Sequence, residues 1–179
     1  MNKLAIGVLV AFAALLAMPN VPVQADGDGT RISARLRGFD EVPAVSTTAS
    51  GEFHGKISKD ETSVEYELSY QNLEATVTQA HIHFGQKGVA AGISVWLCQT
   101  VTNHDPTNLA PTCPQSGEVT GTFTAANVIG PAGQGIAAME FAELLHAIRR
   151  GVTYANVHSS KFPGGEIRGQ IKHHGHDDD

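Results

Sequence analysis

Residues 63–70 read SVEYELSY, and the alternation in that octet decides the fold class. Val64, Tyr66, Leu68 and Tyr70 fall on one face of an extended chain, while Glu65, Glu67 and Ser69 fall on the other. A strand buried on one side and wet on the other belongs to an antiparallel sheet. The same period appears in both directions along the chain. RISARL at 31–36 turns Ile32, Ala34 and Leu36 one way, and GEFHGKI at 51–57 does so with Phe53, Gly55 and Ile57. ISVWL at 93–97, GEVTGTF at 117–123 and EIRGQI at 166–171 read as further strands, with Gly, Asn, Asp and Pro between them.

One stretch departs from period two. In EFAELLHAIRR, residues 140–150, Phe141, Leu144, Leu145 and Ile148 recur at helical spacing, which predicts one amphipathic helix ended at Gly151. Many short strands and a single helix predict an all-β fold. The expected architecture is an immunoglobulin-like or superoxide dismutase-like antiparallel β-sandwich with one short helix insertion.

The first residues, MNKLAIGVLVAFAALLAMPNVPVQAD, carry one lysine, an apolar run from Leu4 to Met18, and a small-x-small close at Val23, Gln24 and Ala25. This is the layout of a secretory signal peptide over residues 1–25. The apolar run is shorter than the roughly 20 residues that span a bilayer. The chain is therefore expected to be secreted or periplasmic, with no membrane attachment in its mature form. Residues 26–172 then form one domain, and the tail HHGHDDD at 173–179 is expected to be disordered.

The chain has 12 Lys and Arg against 18 Asp and Glu, a net charge of −6, and cleavage after Ala25 would remove only Lys3. Such a balance argues against nucleic acid and acidic membranes as partners and favours cations. Cys98 and Cys113 flank QTVTNHDPTNLAPT, which has no hydrophobic period. In an oxidising compartment an isolated pair reads most simply as a disulfide, worth about 3 kcal/mol in the chain-entropy model. The competing reading, a thiolate metal ligand, needs one cysteine to stay reduced after export.

Residues 80–84 read AHIHF. On a strand, His81 and His83 project together with Cα atoms about 6–7 Å apart, while Ala80, Ile82 and Phe84 face the other way. In YANVHSS, Tyr154, Asn156 and His158 share a face. If the two strands pair, His158 completes a three-histidine cluster suited to copper or zinc, with a coordination position left open. The ordinary alternative is a set of structural or solvated histidines. Glu166 and Arg168 share a face of the last strand and read first as a surface ion pair, and second as groups that orient a ligand histidine. Asn156 reads first as a turn cap, with the same second role. His54, between Glu52 and Lys56, is expected to be exposed, with a fourth-ligand role as its alternative. His104 and His146 read as surface groups, and His173, His174 and His176 as weak metal binders without fixed geometry.

Three blocks carry a family resemblance: LRGFDEVPAV at 36–45, AHIHFG followed by KGVAAGISVWL at 80–97, and YANVHSSKFPGGEIRGQI at 154–171. Together they resemble the CHRD domain found in exported bacterial proteins, over about residues 30–172. The ending C-P-x-S-G at Cys113 to Gly117 is similar to a common bacterial subgroup. The resemblance implies an all-β domain whose A-H-I-H and N-V-H histidines are His81, His83 and His158 here. It implies little about biochemical role.

Three functions compete. The first is a metal-binding exported module for copper or zinc, whose partner is the ion. The second is a non-catalytic adhesion or scaffold domain with an unknown protein partner. The third is a copper/zinc dismutase-like redox enzyme, which needs more histidines and an aspartate than the pattern offers. A blue-copper site needs a cysteine thiolate. No G-x-S-x-G elbow, phosphate-binding loop or dinucleotide fingerprint is present. The reading favours binding over catalysis and expects no catalytic residue.

Overall fold

A computed structural model describes residues 31–175; the signal peptide read over 1–25 and tail residues 176–179 lie outside the described residues. Among the described residues nine strands and one α-helix follow in order: β1 (Arg31–Arg37), β2 (Ser50–Ile57), β3 (Ser63–Gln71), β4 (Val77–Phe84), β5 (Ile93–Cys98), β6 (Gly117–Thr124), α1 (Phe141–Arg149), β7 (Thr153–Ser159), β8 (Ile167–Gln170) and β9 (Lys172–His174). Every strand pairing is antiparallel.

The strands form one continuous sheet in the order β5-β4-β7-β8-β1-β2-β3-β6, with β9 against β1. β1 meets β8 at a single register pair, Arg37 with Arg168, so the sheet is thinly joined there. One apolar core draws on both sides of that seam: Ile82, Val95, Leu97 and Val157 from one half, and Ile32, Phe53, Leu68 and Phe123 from the other. The Tyr66 hydroxyl on β3 donates to the Leu97 carbonyl on β5 at 2.6 Å, tying the two layers near their free edges. The all-β fold with one short helix is as the alternation predicts. Its two layers are one curled sheet that nearly closes, rather than two separate sheets.

Local chemistry explains the elements. In β3, Val64, Tyr66, Leu68 and Tyr70 are buried while Glu65 and Glu67 are exposed, so period two translates directly into inside and outside. In α1 the buried set is Phe141, Leu144, Leu145, Ala147 and Ile148, the stripe its spacing requires. Gly151 ends it with φ 66, a left-handed conformation that costs glycine least. No helix among the described residues is long and apolar enough to cross a membrane.

Cys98 and Cys113 form a disulfide, joining the end of β5 to the segment before β6. The loop between them is organised by Asp105, whose carboxylate accepts from the backbone N–H groups of Thr107, Leu109 and Ala110. A buried carboxylate thus replaces the missing hydrophobic period as the loop's organiser.

One boundary is corrected. His173 and His174 belong to β9, paired with Ile32 and Arg31, and the His174 ring lies 2.7 Å from the Ser33 hydroxyl. Ile171, fully buried, anchors the chain beside an edge of β1 that β8 leaves unpaired. Backbone pairing with that edge, which a polar sequence cannot announce, orders the residues.

Candidate metal centre

His81 and His83 lie on β4, and His158 on β7 beside it, in the register His81 opposite Asn156 and His158 opposite Gln79. His158 is therefore the diagonal neighbour of His81 on one face. Opposite β5 the ladder shifts between Ala80 and His81, and again between Ile82 and His83. Such irregularities re-aim side chains, and here they flank both histidines. One ring nitrogen from each of the three histidines falls within 4.8 Å of the others.

This face points away from the core, yet all three rings are buried: His81 is 0%, His83 7% and His158 5% exposed. Loop segments from three separate parts of the chain make contacts over it. The first carries Glu41, the second spans residues 85–92, and the third spans 160–166. The Ala91 carbonyl accepts a hydrogen bond from His83 Nδ1 at 2.9 Å, and the Pro163 carbonyl accepts one from His158 Nδ1 at 3.0 Å. A carbonyl can only accept, so each Nδ1 carries the proton and each Nε2 presents a lone pair. Metal-ligating histidines are oriented by this same second hydrogen bond. His81 Nδ1 lies 3.2 Å from His158 Nε2. His81 Nε2 and His83 Nε2 have no partner among the described residues.

Burial keeps the rings neutral. It pushes His83 and His158 down to about 4, opposed in each case by the carbonyl bond, and pushes His81 lower still, helped by the neighbouring imidazoles. At neutral pH the Nε2 lone pairs of His81 and His83 are therefore free of protons, while His158 Nε2 accepts from His81 Nδ1.

Aromatic side chains fix the ring planes. Tyr154 stacks on His83 with centroids 4.7 Å apart and planes 2° from parallel, and the Arg168 guanidinium sits 3.7 Å from the Tyr154 ring centroid. Trp96 meets His81 edge-on at 4.3 Å. The sequence pattern put Tyr154 on the face of His158 without assigning it a role, and it passed over Trp96. The strand signal was readable for both; the partner ring was not.

Glu41 was also missed. It is buried, and its Oε1 accepts from Asn156 Nδ2 at 2.6 Å; burial raises its carboxyl to about 7, against the pull of that bond and of Arg168. Asn156 also donates to the Ile167 carbonyl at 2.9 Å, so it braces Glu41 and β8 rather than capping a turn. Gly165, with φ 127, closes over them: a Cβ there would lie 2.6 Å from Glu41 Oε1 and 2.7 Å from the Asn156 amide nitrogen. Both the dihedral and the space exclude a side chain.

A further expectation is corrected. Glu166 and Arg168 form no surface ion pair. Both are buried and take different partners: Glu166 Oε1 accepts from the Thr47 hydroxyl and the Glu74 backbone N–H, while Arg168 donates to the Val89 carbonyl. Loops cover the face that period two marked as wet, and a surface pair needs that solvent. His54 lies exposed on β2, 3.5 Å from Glu52, outside the cluster. His104 and His146 are exposed as expected.

The donor set has three imidazoles and no thiolate, because both cysteines are in the disulfide. The fold and site define an all-β domain with three histidines converging beneath loops. The chain belongs to the CHRD domain family, whose sequence model matches residues 32–171. The histidines that the resemblance carried over are the three in the cluster. No curated protein and no solved structure matches the chain.

Proposed function

We propose that this protein is an exported metal-binding module that holds one copper or zinc ion with His81, His83 and His158. The observation that carries this reading is the pair of buried, unpartnered lone pairs on His81 Nε2 and His83 Nε2. An unpartnered buried polar atom costs about 1–3 kcal/mol, and a metal cation is a partner to which a nitrogen lone pair donates strongly. The backbone carbonyls hold His83 and His158 in the ligating tautomer, and Tyr154 holds the His83 plane. Three neutral imidazoles suit copper and zinc and leave room for a further ligand. Export is supported by the disulfide, which persists in oxidising compartments, and by the signal-like residues 1–25.

A second reading, an adhesion or scaffold domain, draws on Phe39, which is exposed beside Glu41 on one of the covering segments. Metal analysis separates the two. The full exported chain, carrying His173→Asn, His174→Asn and His176→Asn to remove adventitious binding, is titrated with copper and with zinc. One ion per chain is expected, lost in His83→Gln and retained in His54→Gln. Trp96, the sole tryptophan, reports copper by quenching of its fluorescence. No uptake, or equal uptake by a folded His83→Gln variant, would leave the adhesion reading.

A further inference from the structure

The chain is acidic overall, yet its cations are not spread evenly. A depression of about 850 Å³ lies where β1, β8 and β9 meet the C-terminal end of α1 and the 85–92 loop. Seven of the chain's 12 Lys and Arg line it, namely Arg35 together with Arg37, Lys87, Arg149, Arg150, Arg168 and Lys172. A single carboxylate, that of Asp40, lines it with them. Two of the cations are answered from outside the depression: Arg35 by Glu52 at 3.5 Å and Arg149 by Glu61 at 2.6 Å. The other five have no carboxylate within 4.0 Å among the described residues.

Complementing the helix dipole accounts for Arg149 and Arg150 only. Arg37 and Arg168 are directly opposed across the β1–β8 seam, and like charges in that relation repel. Arg168 is moreover buried at 3% exposure, with one face on the Tyr154 ring and, of its nitrogens, only Nη2 hydrogen-bonded, to the Val89 carbonyl. A buried guanidinium facing further cations is stabilised by an anion that shares them.

We propose that this depression binds a small soluble anion bearing two or more phosphate groups. Guanidinium forks match phosphate oxygens in pairs, which favours phosphate over a lone carboxylate. Several cations within one Debye length favour a multivalent ligand over a monovalent one. The acidic charge of the rest of the chain repels a long polyanion and disfavours docking on an anionic membrane. This site does not depend on metal at the histidines.

Calorimetric titration of the full chain with inorganic tripolyphosphate tests the proposal, with inorganic monophosphate and phosphatidylglycerol vesicles as separate arms. Saturable one-to-one binding of tripolyphosphate is expected, weakening as salt rises from about 50 to about 200 mM. Arg150→Gln and Lys172→Gln, both on exposed positions, should each weaken it by about tenfold. Lys56→Gln and Lys59→Gln, away from the depression, should leave it unchanged. Absence of saturable binding, or equal loss in the two pairs of variants, overturns the site. Binding to vesicles without binding to tripolyphosphate overturns the assignment to a soluble anion.

Discussion

β3 and β7 look alike as sequence, both alternating, and they end up in opposite circumstances. β3 buries Val64, Tyr66, Leu68 and Tyr70 and leaves Glu65 and Glu67 in water, whereas all seven residues of β7 from Thr153 to Ser159 are buried. The core faces of the two strands obey the same rule. Their outer faces differ because loops pack over β7 and, among the described residues, none covers the glutamates of β3. A polar residue on the outer face of β3 is solvated; on β7 it needs a protein partner, and Asn156 and His158 have them.

That contrast can be broken or sharpened by experiment. The largest effect is expected where the two strands agree, in the shared core: Phe53→Ala should cost about 3–5 kcal/mol in urea unfolding, since its ring is fully buried between the layers. A smaller loss would mean that the halves of the sheet are loosely apposed.

Next comes pH, measured in chelator-treated protein. His83 and His158 are depressed to about 4, and His81 lower, from an unfolded value near 6.5, so the unfolded chain takes up protons first on acidification. Stability present above about 6.5 is therefore lost as pH falls toward 4. Glu41, raised to about 7 from 4.5, works the other way, because its contribution is lost as pH rises through that interval. Three histidine protons outweigh one carboxyl proton between pH 4.5 and 6.5. With about two net protons the slope should reach about 2 kcal/mol per pH unit, with acid destabilising. A flat profile would show that the outer face of β7 is wetter than its packing indicates.

On that face, Asn156→Ala leaves the Glu41 carboxyl buried without its donor and should cost about 1–3 kcal/mol. Gly165→Ala, strained by its dihedral and by the Glu41 contact, should cost a similar amount, about 1–3 kcal/mol. The smallest effect belongs to the outer face of β3: Glu67→Ala should stay within about 0.5 kcal/mol. Equal costs for Asn156→Ala and Glu67→Ala would erase the distinction between the strands.

Much of the fold was legible because period two and period 3.6 are local properties. SVEYELSY, GEFHGKI and EFAELLHAIRR state their inward faces without reference to anything distant. AHIHF and YANVHSS likewise announced which histidines share a face. The covered outer face was not legible. Glu166 and Arg168 read as a surface pair because nothing near them in sequence shows that Thr47, Glu74 and Val89 will supply their partners. Glu41 reaches Asn156 across 115 positions. β9 was missed because its pairing depends on a vacant backbone edge, which polar side chains do not record.

By itself, then, the sequence determined the strands other than β9, the helix, the cysteine pair and the side of the strand on which each histidine stands, since these follow from the chain's own dihedral periods and from residue chemistry. The tertiary structure decided that the sheet would be one curled piece, that β4 would lie beside β7, and that three remote loop segments would seal the histidines from water. It also decided that a chain short of cations would gather most of them in one depression. Register and burial are set by contacts between distant segments, and a contact free energy belongs to both partners at once, so no single stretch of sequence displays it.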